Sequence, residues 1–132
     1  MVIGRSDLAG SLNLSKKDVN KEVIFKIIKK TIVKIKKRVK SNFLIKMGGS
    51  ITPKSKNFID KLYKSKLINR IETRNIELKL NNNIIQNTEK IIPEIFKFEL
   101  EWLKIKLTLV KNKILSKEYK IRIRELEERL RR

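Results

Sequence analysis

Short apolar runs alternate with longer helical patterns through the first 71 residues, and this alternation constrains the fold most. Strands are predicted at residues 2–3, 43–47 and 68–71. Between them the spacing predicts an amphipathic helix of about five turns from residue 23, introduced by a Ser15/Asp18 capping box, and a short helix that begins at Thr52 and Pro53. Strands that alternate with helices favour parallel β/α units. The sequence therefore predicts three successive β/α units.

The second part of the chain is predicted to be helical. Residues 76–80 alternate with period two, and either a fourth strand or an extended loop fits them. A single long helix is predicted from residue 89 to 132, with Pro93 in its first turn, because an interior proline costs about 3 kcal/mol. We therefore predict a partial β/α segment at 1–83 and a helical arm at 84–132. An apolar stripe along that arm requires a partner surface, and packing on its own domain is favoured over docking on another subunit: Ile95, Phe98, Trp102, Ile105 and Leu109.

Composition removes several classes of chemistry. The chain has no cysteine and no histidine, which excludes disulfides, thiolate nucleophiles and histidine bases. Catalysis would have to use carboxylates, lysines, hydroxyls or backbone groups. No apolar stretch approaches the roughly 18 residues that span a bilayer, and the N-terminal residues lack the order of a signal peptide. We expect a cytoplasmic chain with no membrane partner.

The charge balance is strongly positive, with 34 basic and 14 acidic residues and a net charge of +20. Such a charge is typical of proteins that bind nucleic acid. However, lysine, isoleucine and asparagine are enriched together, at 25, 21 and 11 residues, as an A/T-biased genome would produce. The basic residues are spread over every segment, and few aromatic residues interleave with them. The composition therefore argues against nucleic acid as the partner.

Residues 2–12, Val-Ile-Gly-Arg-Ser-Asp-Leu-Ala-Gly-Ser-Leu, are predicted to be a strand end followed by a loop of small residues. This run resembles the segment Ile-Gly-x-x-Asp-Leu-(Ser/Ala)-x-Ser-Leu of the HpcH/HpaI aldolase and citrate lyase β-subunit family. Residues 47–51 and 71–74 resemble successive strand ends in one branch of that family, and residues 98–103 resemble its C-terminal helix. The resemblance covers essentially the whole chain but matches only the C-terminal half of the family.

The resemblance implies an α/β fold, namely about three β/α units from the C-terminal part of a (β/α)8 TIM barrel, plus a long C-terminal helix. It implies a carbon-carbon lyase or aldolase in which Mg²⁺ or Mn²⁺ holds a pyruvate-like 2-oxo acid or an acyl thioester. The metal ligand carries over onto Asp7, and a carboxylate is a suitable hard ligand. Backbone amides at Ser6 and Asp7 are expected to face the substrate carboxylate, with the Gly48–Gly49 loop beside them.

Structural explanations exist for each of these residues. Asp7 fits a turn residue, and Gly48–Gly49 fits a strand end that needs positive φ. Glu72 and Arg74 either face the site or form a surface ion pair. The interpretation depends on the Asp7 carboxylate lying at the mouth of a strand; a helical position, or one turned away from the strand tips, would contradict it.

The second metal carboxylate, the substrate-binding arginine and the acid/base groups of the family match nothing here. We therefore expect that this chain alone neither binds metal tightly nor turns over substrate. A homo-oligomer through the C-terminal helix is expected. The alternatives are a small basic helical module that binds nucleic acid or a partner helix, and a non-catalytic relic.

Overall fold

The computed structural model describes residues 1–39 and 44–131, which form an α/β fold with a four-stranded sheet and six α-helices in those ranges. The strands are β1 (Val2–Gly4), β2 (Lys46–Gly48), β3 (Arg70–Glu72) and β4 (Glu77–Lys79). The helices are α1 (Arg5–Ser11), α2 (Glu22–Arg38), α3 (Lys56–Lys64), α4 (Asn82–Gln86), α5 (Thr88–Leu109) and α6 (Lys113–Leu130). Short 3₁₀ helices occur at Lys16–Asp18 and Pro53–Ser55.

The sheet has the order β1-β2-β3-β4, so each strand lies beside its neighbour in sequence. The first three strands are parallel and β4 runs antiparallel to β3. The three predicted parallel strands are therefore confirmed, although each ends one residue later than expected and β2 and β3 also begin later, at Lys46 and Arg70; the alternating segment at 76–80 contains a strand. Phe43, the first residue of the predicted second strand, lies outside the described residues.

The two faces of the sheet differ in chemistry. One row of paired residues, Ile3, Met47, Ile71 and Leu78, belongs to the hydrophobic core or packs against it. The rows on either side point to the opposite face and carry charged residues: Lys46, Arg70, Glu72, Glu77 and Lys79. When successive parallel strands are added in one direction across a sheet, right-handed crossovers place the connecting helices on the same face of that sheet. The sheet is thus apolar where the helices pack and charged on its other face.

Helix α2 confirms the predicted amphipathic helix. Its buried side chains are Ile24, Ile28 and Ile32, four residues apart. The predicted Ser15/Asp18 capping box is present, because the Ser15 amide donates to Asp18 Oδ2 at 2.9 Å and the Lys17 amide donates to Ser15 Oγ at 3.2 Å. It caps the 3₁₀ helix at Lys16–Asp18, while α2 begins separately at Glu22.

The prediction of one long C-terminal helix is wrong. The chain leaves the helix after Leu109, and α6 begins after Asn112, whose Oδ1 accepts hydrogen bonds from the amides of Ile114 and Leu115 at 2.9 and 3.1 Å. This N-cap starts a new helix that packs back on α5. Pro93 lies inside α5 and not in its first turn, because the helix already begins at Thr88.

The predicted apolar stripe of α5 is not its packing face. The helix instead buries Ile92, Phe96, Leu100 and Leu103. Three members of the predicted stripe are largely exposed: Phe98 at 64%, Ile105 at 59% and Leu109 at 72%. The helix carries apolar residues on two faces, so spacing alone did not identify the buried one.

A single hydrophobic cluster includes residues from both predicted segments, for example Met47 and Leu103. Helix α4 also crosses the predicted boundary at residue 83. None of the helices in the described ranges is both long enough and apolar enough to cross a membrane.

Candidate functional site

The carboxyl ends of β1 and β2 meet at one edge of the sheet. Gly4 and Gly48, the last residues of these strands, are paired in register. The chain continues from β1 directly into α1 and from β2 into Gly49 and Ser50, and the Ser6 and Ser50 hydroxyl oxygens lie 3.0 Å apart. The structure therefore brings together the residues that the sequence assigned to substrate binding.

Gly49 lies against the first turn of α1. Its φ of +82° is in the left-handed region, which supports the prediction that this loop needs positive φ. In addition, a Cβ at Gly49 would lie 2.5 Å from the Ser6 amide nitrogen and 2.7 Å from that of Arg5. These amides are in the first turn of a helix, where no intrahelical acceptor is available. The absence of a side chain at Gly49 thus lets the loop after β2 approach the start of α1 more closely than any other residue would allow.

Arg5 is the centre of this cluster, and the sequence did not identify it. Its side chain is completely buried, and its Nη2 donates to the carbonyl oxygens of Gly49 and Ser50 at 2.9 and 3.1 Å and to Ser55 Oγ at 3.2 Å. Its Nη1 donates to Asn20 Oδ1 at 2.5 Å. Arg5 therefore joins the start of α1 to the loop after β2 and to the 3₁₀ helix at Pro53–Ser55.

The environment of Arg5 is unusual for a cation. Its guanidinium lies 5.1 Å from the centre of the Phe58 ring, and its Nε has no hydrogen-bond partner among the described residues. Burial lowers the pKa of Arg5 well below its ordinary value, to about 10. The hydrogen-bond partners given above are neutral oxygens, so the positive charge of Arg5 is stabilised by the dipoles of carbonyl, hydroxyl and amide groups. A sequence pattern could not reveal this, because a charged residue beside a glycine is ordinarily assigned to the surface.

Asp7 lies in the first turn of α1, and the loop predicted for residues 4–12 is wrong. The helix forms because the chain passes straight from β1 into it, with Asp7 near its positive end and Ala9 buried against the core. The aldolase interpretation required Asp7 to lie at the end of a strand and not on a helix, so this helical position argues against it. The carboxylate nevertheless remains at the strand end, because Asp7 Oδ2 lies 2.5 Å from where a Cβ of Gly4 would be.

Glu72 and Arg74 do not form the surface pair that was considered. Glu72 ends β3, its Cγ lies 3.1 Å from the Cβ position of Gly48, and its carboxylate is 4.0 Å from Lys46 Nζ. Arg74 lies toward α6, where its charge lowers the pKa of Arg122 as a second cause after burial. The Glu72 side chain therefore lies at the end of β2, whereas Arg74 lies away from it.

The turn after β3 is held by a second residue that the sequence analysis missed. Glu99 of α5 is only 3% exposed, and its Oε1 accepts hydrogen bonds from Thr73 Oγ1 at 2.6 Å and from the Asn75 amide at 3.1 Å. The signal available in the sequence was a glutamate between apolar residues of a predicted helix, since a glutamate that is buried in such a place is almost always paired.

The described residues do not complete a divalent-cation site. No group of three or more acidic, histidine or cysteine residues in residues 1–39 and 44–131 is placed to share an ion. Asp7 alone supplies too few oxygen ligands for Mg²⁺ or Mn²⁺, which require about six. Further ligands would have to come from elsewhere.

Comparisons with known proteins gave no relative: no family model, no curated protein and no solved structure matches the chain.

Proposed function

We propose that this chain is the C-terminal portion of a divalent-metal-dependent carbon-carbon lyase or aldolase of the HpcH/HpaI type. The observation that supports the proposal is the meeting of β1, β2 and β3 at one edge of a sheet in which three parallel strands follow sequence order. Active sites of β/α barrels are built at this carboxyl edge. Three of the segments that carry the resemblance, residues 2–12, 47–51 and 71–74, include the ends of these strands.

Within this proposal the residues have distinct roles. The backbone amides of Ser6 and Asp7, in the first turn of α1, would face a substrate carboxylate, with the Gly48–Gly49 loop beside them. Arg5 is a positioning residue, because it fixes the loop after β2 relative to α1. Asp7 would contribute one ligand to a metal whose chemistry is to polarise the substrate oxygen. The described residues do not complete that metal site, so the substrate must be held by groups from another part of the protein.

Two features of the structure differ from the geometry of a complete barrel. Asp7 is helical, so the proposal depends on the strand ends and not on Asp7 as a ligand. In addition, β4 occupies the edge of β3 in an antiparallel direction, whereas a closed β/α barrel would place a parallel strand there. A complete barrel would require β4 to leave this position.

Weak metal binding can be located on the full chain by NMR, because Mn²⁺ broadens the resonances of nuclei close to it. We expect broadening centred on Ser6, Asp7 and Gly49 in wild type and its loss in Asp7→Asn. Asp60→Asn, which removes a carboxylate paired with Lys64 on α3, is the matched control and should leave the broadening unchanged. Broadening that persists in Asp7→Asn would reject Asp7 as a ligand.

Calorimetry and an activity assay test the incomplete site. The isolated chain should show no micromolar Mn²⁺ affinity and no cleavage of 2-oxo acid aldol substrates. Micromolar affinity would overturn the prediction of an incomplete site. Co-expression with any polypeptide encoded directly upstream of the Met1 codon should yield pyruvate release that Gly49→Ala reduces. Unrelated sequence upstream, or no activity in a folded complex, would favour the relic.

A second candidate function is supported by one surface. Helix α2 has seven basic residues and one acidic residue, and five of its lysines surround the exposed Val33: Lys26, Lys29, Lys30, Lys34 and Lys37. Such a face suits a nucleic-acid backbone. A protein with six to ten phosphate contacts loses about 10³ to 10⁵ in affinity between 50 and 200 mM salt. Binding of duplex or single-stranded nucleic acid with that dependence would favour this module over the lyase.

A further inference from the structure

An apolar stripe along α5 is largely uncovered by the described residues, and only Trp102 of the stripe packs in part against the hydrophobic core. It consists of Phe98, Trp102, Ile105 and Leu109, which follow one another at spacings of three and four. Three of these side chains are between 59% and 72% exposed, and Trp102 is half-buried. Four neighbouring apolar side chains on one helix face, two of them aromatic, form the kind of patch that marks an interaction site.

The charge of α5 indicates what kind of partner fits. The chain carries +20, and α2 alone has seven basic residues against one acidic residue. Helix α5 has four basic and four acidic residues and is therefore neutral. A polyanion would be drawn to α2 and not to α5. A neutral face on a strongly basic protein is the place where a second copy can approach with the least repulsion.

The charges beside the stripe are also self-complementary. Glu94, Lys97, Glu101 and Lys104 alternate in sign along one flank and all are exposed, and among the described residues their ion pairs lie within the helix, at 2.7 and 2.9 Å. When two such helices run antiparallel with their stripes facing each other, Glu101 of each copy can meet Lys104 of the other. Opposite charges that flank an apolar seam set partner choice and orientation in coiled coils.

From these observations we infer that the α5 stripe is a homodimer interface, in which two copies of the chain pack α5 against α5 in antiparallel orientation about a two-fold axis. The inference does not depend on the lyase proposal. Aromatic side chains bury about 150–250 Å² each, so the paired stripes would bury on the order of 1,000 Å². Stable interfaces usually bury about 1,200–2,000 Å², so we expect a dimer with roughly micromolar affinity.

Sedimentation equilibrium of the full chain tests this inference. We expect a monomer–dimer equilibrium between about 1 and 200 μM. Because Trp102 is the single tryptophan, its emission should shift to longer wavelength on dilution as the stripe is exposed to water. Phe98→Asp with Ile105→Asp should reduce the association constant at least about tenfold. Val23→Asp, on an exposed apolar residue of α2, is the control and should not change it. Circular dichroism checks that each variant is folded.

A charge exchange distinguishes a specific interface from nonspecific association. The variant Glu94→Lys with Glu101→Lys, and the variant Lys97→Glu with Lys104→Glu, should each be monomeric alone. Mixed together they should form a heterodimer, which a merely destabilised fold would not do. A folded wild-type chain that stays monomeric would overturn the inference. Association that Val23→Asp weakens equally, or a mixture that fails to associate, would overturn it as well.

Discussion

The molecule contains two polar clusters that differ in how they are held. Arg5 is completely buried and donates to neutral oxygens from three segments of the chain. Glu77, on the charged face of the sheet, pairs with Lys46 and Arg70 while the three side chains remain about 30% exposed. Buried polar groups are costly to leave without partners, whereas exposed ion pairs contribute little. The comparison indicates that the Arg5 cluster fixes the strand ends, whereas the Glu77 cluster contributes little to the stability of the sheet.

The largest effect is expected for Arg5→Met. The substitution keeps much of the side-chain volume but leaves the carbonyls of Gly49 and Ser50 buried without this donor. We expect a loss of about 3 kcal/mol in the free energy of unfolding, measured by urea denaturation. Arg5→Lys should recover only part of the loss, because one ammonium group cannot reproduce the fork of a guanidinium. Wild-type stability in Arg5→Met would remove the distinction between the clusters.

The next largest loss in the free energy of unfolding is expected for Gly49→Ala. The new methyl group would lie 2.5 Å from the Ser6 nitrogen, at a residue whose φ is +82°. We expect a loss of about 2 kcal/mol in the free energy of unfolding. Gly10→Ala in α1 is the matched control, because nothing lies within 4 Å of its Cβ position. An exposed helical glycine replaced by alanine should be neutral or gain about 0.5–1 kcal/mol. Equal losses in the two variants would contradict the close approach at Gly49.

Glu77→Gln should have a small effect. Hydrogen bonds from Lys46 and then Arg70 lower the pKa of Glu77, so the carboxylate is charged at neutral pH and the pairs exist there. Their exposure to water and salt leaves little net gain. We expect an unfolding midpoint close to that of wild type, and a difference that shrinks further in 0.5 M salt. A loss comparable with that of Arg5→Met would show that the charged face is structurally important.

The smallest effect concerns the capping box at Ser15. Hydrogen bonds from Ser15 and then Lys21 lower the pKa of Asp18 from 3.8 to about 2. A lowered carboxyl pKa stabilises the fold above the ordinary value, and that contribution is lost as the pH falls from about 4 to about 2. The protection of the Ser15 and Lys17 amides from hydrogen exchange, relative to the intrinsic exchange rate at each pH, should fall as the pH falls over that range. In Asp18→Asn this pH dependence should disappear; an unchanged profile would assign the titration to another group.

The sequence predicted the elements that apolar spacing determines. The parallel strands β1 to β3, helix α2 and the start at Thr52–Pro53 follow from local patterns, because their apolar residues also form the core. Helix α1 was missed because its glycine and serine residues are typical of loops. The break before α6 depended on Asn112, a recognisable N-cap that the regular apolar spacing obscured.

The candidate site was predictable only in part. Ser6, Gly48 and Gly49 were identified from the motif, and the structure places them together at one edge. Arg5 was not identified, because two of its four partners are backbone carbonyls 44 and 45 positions away and the other two are the side chains of Asn20 and Ser55, also distant in sequence. Hydrogen bonds to the main chain carry no residue-type signal, so no motif records them. The ligand role of Asp7 stays a prediction.

The antiparallel strand β4 has a consequence for how the sheet can grow. It occupies the hydrogen-bonding groups of β3, so the borders of the described sheet are β1, a parallel strand, and β4, an antiparallel one. A further strand can extend the parallel part of the sheet only beside β1, because growth beside β4 continues from an antiparallel strand. A ring made only of parallel strands cannot close while β4 stays in place.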